Sequence, residues 1–137
     1  MRAQKIYNIA MALMDEYLDN GNVDMDSTKD YQARTPGILT QLSTIVAMEM
    51  RKYKKDVQMP AEVTKITSDV ELEDEICLTI LPSGLAGRLL ATEDVNLSNY
   101  YTTMFEEGMA NYLRQYREPV KQIEREDVYN STLRAGD

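Results

Sequence analysis

Cys77 is the only thiol in the chain, and no histidine accompanies it. A cysteine nucleophile needs a neighbouring base or a depressed pKa, and histidine is the usual source of both. Cys77 stands instead in an apolar stretch, where a small, buried, inert side chain is expected. A single cysteine also excludes an internal disulfide and a thiolate metal cluster. The missing histidine removes the commonest general base and the commonest metal ligand. Asn22, Asp24 and Asp26 alternate like the opening of a calcium loop. That template next requires a glycine and then, at its end, a bidentate glutamate. Ser27 and Ala33 occupy those positions, so the segment reads as a solvated loop. The 23 Asp and Glu residues fall on faces that the patterning gives to solvent, without the apolar pocket that raises a carboxyl pKa. No glycine-rich phosphate loop is present. The expectation is a protein without catalytic residues, cofactor or metal.

Charge and aromatic content point to contact rather than chemistry. A net charge of −8 disfavours a phosphate-binding surface, which wants clustered Lys and Arg. It favours a surface that repels passing DNA. The basic residues that do cluster are Arg51, Lys52, Lys54 and Lys55. They follow an apolar stripe, where positive charge complements a helix C-terminus; they could also meet an acidic partner. Nine tyrosines stand against one phenylalanine and no tryptophan, a balance suited to half-buried surfaces and interfaces.

The elements that must position these residues centre on residues 73–94. Leu78, Leu81, Leu85 and Leu89 recur at helical spacing. Gly84, Gly87 and Ala91 recur on a neighbouring face, where small side chains let another helix approach closely. Glycine costs about 1 kcal/mol relative to alanine inside a helix, so close packing must justify it. Pro82 either kinks this helix or restarts it in its own first turn. A first helix is expected over residues 3–19, with Ile6, Ile9, Leu13 and Tyr17 as its stripe, widened by Ala10 and Met14. A second is expected from Thr35 as N-cap and Pro36 in the first turn, with a short turn of helix possible around residues 29–33. Its stripe is Ile38, Leu42, Ile45, Val46, Met50 and Tyr53. Residues 56–72 lose helical period and carry Val63, Thr64, Ile66 and Thr67, the composition of one small hairpin or extended crossing. A fourth helix is expected over residues 97–117, with Gly108 on its packing face and more tyrosine than a small core needs, at Tyr100, Tyr101, Tyr112 and Tyr116. Pro119 is expected to stop it. Val120, Ile123, Val128, Tyr129 and Leu133 are then spaced through a tail that could order on a partner.

The expected fold is mainly α: a four-helix bundle-like domain over residues 1–117, a small extended or hairpin insert, and an extended C-terminal tail over residues 118–137. A chain of 137 residues is one compact unit with a real core. No apolar run reaches the roughly 20 residues of a membrane span. Arg2 and Lys5 precede an apolar segment, but Asn8 interrupts it and Asp15 and Glu16 follow, so a signal peptide is not expected. The chain is expected to work in the cytoplasm where it is made.

Several strings together resemble the head–tail connector, or adaptor, proteins of long-tailed bacteriophages and prophages. They are ARTPGIL at residues 33–39, ILPSGLAGRLL at residues 80–90, the acidic pair Glu93-Asp94, a tyrosine-rich helix, and the closing Glu126, Asp127, Val128 and Tyr129. The sequence differs from that pattern at Ser83, where an aromatic is usual, and in lacking a glycine-rich run near its end. The resemblance implies a structural virion protein at the head–tail junction, assembled as a ring of about a dozen copies. Its implied partners are the portal protein, a tail or stopper protein and further copies of itself. DNA would pass through the ring without specific binding. The residues read above as partner surface are Tyr100, Tyr112, Tyr116, Val120, Ile123, Val128, Tyr129 and Leu133, and those read as close-packing positions are Gly84, Gly87, Ala91 and Gly108. A different reading of the same acidity is a helical regulator or DNA mimic that occupies a nucleic-acid-binding protein. That role needs carboxylates spaced like phosphates on one face, whereas here they are scattered over several.

Overall fold

The structure, a computed structural model, describes residues 1–15 and 28–136, with side chains described as far as Tyr116. The chain is mainly helical, in the order α1 (Ala3–Leu13), α2 (Lys29–Met50), α3 (Asp74–Thr79), α4 (Leu81–Leu89) and α5 (Val95–Gly136). The arrangement is bundle-like, and the short α4 is its axis. Every residue of α4 except Arg88 is buried, and α1, α2, α3 and α5 all pack on it. A helix that is apolar or small on every side can only be stable when enclosed. That is why the most apolar stretch of the sequence forms the centre.

Pro82 restarts the helix. α3 ends at Ile80, and Pro82 lies in the first turn of α4, where its missing N–H has no intrahelical partner to lose. The break changes which leucines share a face. Leu81, Leu85 and Leu89 are buried, but Leu78, on the separate α3, is 38% exposed. The close-packing role holds for two of the four small residues. A Cβ on Gly84 would stand 2.8 Å from Cδ1 of Phe105, and one on Gly87 would stand 2.7 Å from Oγ1 of Thr102 and 3.1 Å from its backbone N. α4 and α5 therefore approach backbone to backbone at Gly87, where Ser98 Oγ also donates to the Gly87 carbonyl at 2.7 Å. Gly108 faces Ile80 with more room, its notional Cβ 3.4 Å from Cγ1. Ala91 is exposed in the turn after α4, so it is not a packing position.

α1 turns inward a face that overlaps the expected one at Ile6 and Ala10 and is extended by Ala3, Tyr7 and Met11, all buried, whereas Leu13 is 38% exposed. Tyr7 can be enclosed because its hydroxyl donates to the Thr28 carbonyl at 3.4 Å. α1 ends at Met14–Asp15, with Asp15 at a positive φ of 61°. Tyr17, Asn22, Asp24, Asp26 and Ser27 lie outside the described residues. α2 begins at Lys29 and holds Pro36 in its interior. Thr35 is thus no N-cap; its hydroxyl donates back to the Tyr31 carbonyl at 2.7 Å inside a continuous helix. Leu39, Leu42, Val46, Ala47 and Met50 form its buried stripe, while Tyr53 lies in the turn beyond, largely exposed.

Residues 56–72 form no hairpin. The segment clamps the N-terminus instead, through the isolated antiparallel bridge between Arg2 and Asp69. The Ala3 N–H donates to the Ser68 carbonyl at 2.8 Å, and the Val70 N–H to the Met1 carbonyl at 2.7 Å. Val63 and Val70 are buried anchors. At the other end of the domain, Asp94 caps α5, accepting the Leu97 N–H at 3.1 Å. The α5 backbone then continues through Pro119 to Gly136, where a helix stop and an extended tail were expected. Lys121, Gln122, Glu124, Arg125 and Glu126 are strong helix formers, and this local preference accounts for the continuation.

Candidate interaction surfaces

α5 shows two faces because α4 covers only one of them. Ser98, Tyr101, Phe105, Tyr112 and Leu113 are buried. Tyr101 is fixed from both sides. Its hydroxyl donates to the Leu13 carbonyl at 2.6 Å, and its ring meets that of Tyr100 edge-on with centroids 5.3 Å apart. Burial pushes its pKa up. Tyr112 donates to the Glu73 carboxylate. Burial first, and that hydrogen bond second, raise its pKa strongly. Tyr112 therefore ties α5 to the start of α3 and is not part of the outer surface. Tyr116 is half-buried, edge-on to Tyr112 at 6.1 Å, with Lys54 Nζ 5.6 Å from its ring centre.

The outward face of α5 begins with Leu97, Tyr100 and Met104, exposed to 43%, 58% and 38%. Steps of three and four place them in one stripe, which Glu107 and Asn111 continue, both exposed. Three large apolar side chains thus line up on one exposed side of a packed helix. Val120, Ile123, Val128, Tyr129 and Leu133 lie further along the α5 backbone, and their side chains fall outside those described.

A second surface lies between α2 and α4. Ala33, Arg34, Gly37, Ile38, Gln41 and Arg88 line an open groove of about 700 Å³. Arg88 donates to Gln41 Oε1 at 2.9 Å. Arg34 pairs with Asp30 at 3.1 Å, stacks over Tyr31 and donates to the Leu89 carbonyl at 3.4 Å. Its Nε is enclosed without a hydrogen-bond partner. The Tyr31 hydroxyl in turn donates to Glu93, so of the acidic pair after α4 Glu93 latches onto α2 while Asp94 caps α5. Sequence patterning gave no sign of this groove, because its two arginines come together only when α2 packs on α4.

A smaller cleft of about 270 Å³ lies between α3 and α5 and is lined by Glu75, Thr79, Ile80, Gly108, Asn111 and Tyr112. Cys77 is fully enclosed in the core, with Sγ 3.7 Å from the Leu72 carbonyl, and burial pushes the thiol pKa up, away from the reactive thiolate. Among the described residues no group of three or more His, Cys, Asp or Glu side chains is placed to hold a metal ion. No helix among them is long and apolar enough to cross a membrane. The basic cluster after α2 is partly engaged: Lys52 pairs with Glu49 at 2.9 Å, and Arg51 Nε donates to the Val57 carbonyl at 3.0 Å. No family model, curated protein or solved structure matches the chain.

Proposed function

We propose that the chain is a structural virion protein, a head–tail connector that assembles as a ring and joins the phage portal to the tail. The resemblance through ARTPGIL, ILPSGLAGRLL and the tyrosine-rich helix supports this reading. The observation that carries it is the outward stripe of Leu97, Tyr100 and Met104 on α5, a helix locked to α4 by Gly87 and Ser98 and to the end of α1 by Tyr101. A ring subunit must present a rigid adhesive face, and this helix does so. The mechanism is mechanical: helix faces join subunit to subunit, and α5 beyond residue 117 engages the portal or the tail. A net charge of −8 gives the channel an acidic wall along which DNA slides without being held.

The test is co-purification with the portal protein encoded beside this gene, followed by electron microscopy. The expected result is a closed ring stacked on the portal, lost when residues 118–137 are removed. A chain that neither binds portal nor forms a ring at any stage of assembly overturns the proposal. So does a gene position away from portal, capsid and tail genes.

A further inference from the structure

Arg88 is the one residue of α4 that escapes burial. It gives one N–H to the neutral Gln41 and has no carboxylate partner among the described residues. A guanidinium carries five donors in a fixed fork suited to a carboxylate. Beside it the groove floor dips at Gly37, where an added Cβ would meet nothing within 4 Å. The groove therefore combines an apolar slot with a cation of unspent hydrogen-bonding capacity, on a chain whose net charge is −8. The outward stripe of α5 is its complement. Tyr100 is the most exposed large ring on that stripe, and Glu107, two turns further on, is an exposed carboxylate. Tyr100 and Glu107 are separated by about 10 Å along the helix axis. Arg34 and Gln41, at the two ends of the α2 wall, have the same spacing.

We infer that the α5 stripe of one copy docks in the α2–α4 groove of a second copy, with Tyr100 at the Arg34 end, beside Gly37, and Glu107 against Arg88 at the Gln41 end. The two surfaces are different, so the contact is head-to-tail, the kind that closes into a ring when the rotation permits. This inference rests on the ring reading and adds to it the two surfaces that meet. Burial of the Tyr100 ring supplies most of the attraction, and the ion pair fixes the register.

The test is a charge swap in the full chain, with self-association measured by sedimentation velocity alone and on added portal. Arg88→Glu and Glu107→Arg are each expected to weaken association by about tenfold or more, and the double variant to recover most of the loss. Gly37→Leu, which fills the slot without adding charge, is expected to weaken it as well. Circular dichroism and thermal melting establish that each variant is folded. If wild type assembles and the single swaps assemble equally well, the inference is overturned while the ring reading stands. Weakening by both swaps without recovery in the double variant also overturns it. If wild type does not self-associate under any of these conditions, the ring reading fails and the inference with it.

Discussion

At Gly87 a single methyl group would press on the Thr102 side chain, the Thr102 backbone and, at 3.2 Å, the Ser98 carbonyl. Two of those three contacts are main chain and cannot rotate away. Alanine gains about 1 kcal/mol over glycine in helix propensity, but overpacking a closed site costs about 1–3 kcal/mol. Gly87→Ala is therefore expected to destabilise the fold by up to about 2 kcal/mol once the two effects are set against each other. At Gly84 the obstructing atoms are Cδ1 and Cγ of the Phe105 ring and Cδ1 of Leu42, side chains rather than main chain, so Gly84→Ala should cost less. Gly37 has open space above it, and Gly37→Ala is expected to stabilise by about 0.5–1 kcal/mol. Thermal melts of the three variants should rank in that order, with Gly37→Ala above wild type. Tyr112 gives a prediction in pH. Its folded pKa is raised, so the fold favours the neutral phenol. That stabilisation is complete below the ordinary tyrosine pKa of about 10 and is lost as pH rises through the folded value. Tyr112→Phe removes the bond to Glu73 and is expected to cost about 1–2 kcal/mol at neutral pH. The melting temperature of wild type should then fall toward that of the variant on the alkaline side. Parallel curves would remove the assigned role.

The element most dependent on polar contacts is the irregular segment over residues 56–72. Thr40 Oγ1 accepts the Val63 N–H at 2.9 Å, and its single proton lies between the Pro36 carbonyl of its own helix at 2.9 Å and the Val63 carbonyl at 3.2 Å. Thr40→Val leaves the Val63 N–H without its acceptor, at a cost of about 1–3 kcal/mol. Hydrogen exchange should report it locally, with faster exchange at Val63 and, through the clamp on the N-terminus, at Ala3 and Val70. Unchanged exchange at those amides would show that the loop is held by its buried valines alone. This loop also marks what could be read from sequence. Its valines and threonines gave the extended character, but no local pattern shows that its partner is Met1–Ala3 rather than itself. The helical class and the buried 81–89 centre were legible because apolar and small residues there follow one period without a polar face. Pro36 and Pro119 misled the helix boundaries. Proline lowers helix propensity locally, and tertiary packing of Tyr31 and Thr35 on one side, or a run of helix formers on the other, outweighed it. In α1 the inward places of Ile6 and Ala10 were legible, but Tyr7 and Met11 are buried where Leu13 was expected, and no local pattern shows that the Thr28 carbonyl accepts from the Tyr7 hydroxyl. Of the candidate surfaces, Tyr100 was foreseeable from surplus aromatic content. Tyr112 was not separable from it without the Glu73 contact.

Over the whole molecule, like charge opposes what the surfaces favour. Two copies each carrying −8 repel across the whole of their facing surfaces, while the proposed contact between Glu107 and Arg88 is local and enclosed. Salt acts unequally on the two. The Debye length falls from about 30 Å at 0.01 M to about 10 Å at 0.1 M, so long-range repulsion is removed first and a partly buried pair is screened least. Self-association is therefore expected to strengthen between 0.01 M and 0.1 M salt, as measured by sedimentation velocity at fixed protein concentration. Tyr100→Ala should weaken association at both ionic strengths while leaving the direction of the salt effect intact, because the ring contributes burial and not charge. Association that weakens steadily from the lowest salt upward would show that ion pairs, not the apolar stripe of α5, dominate the contact.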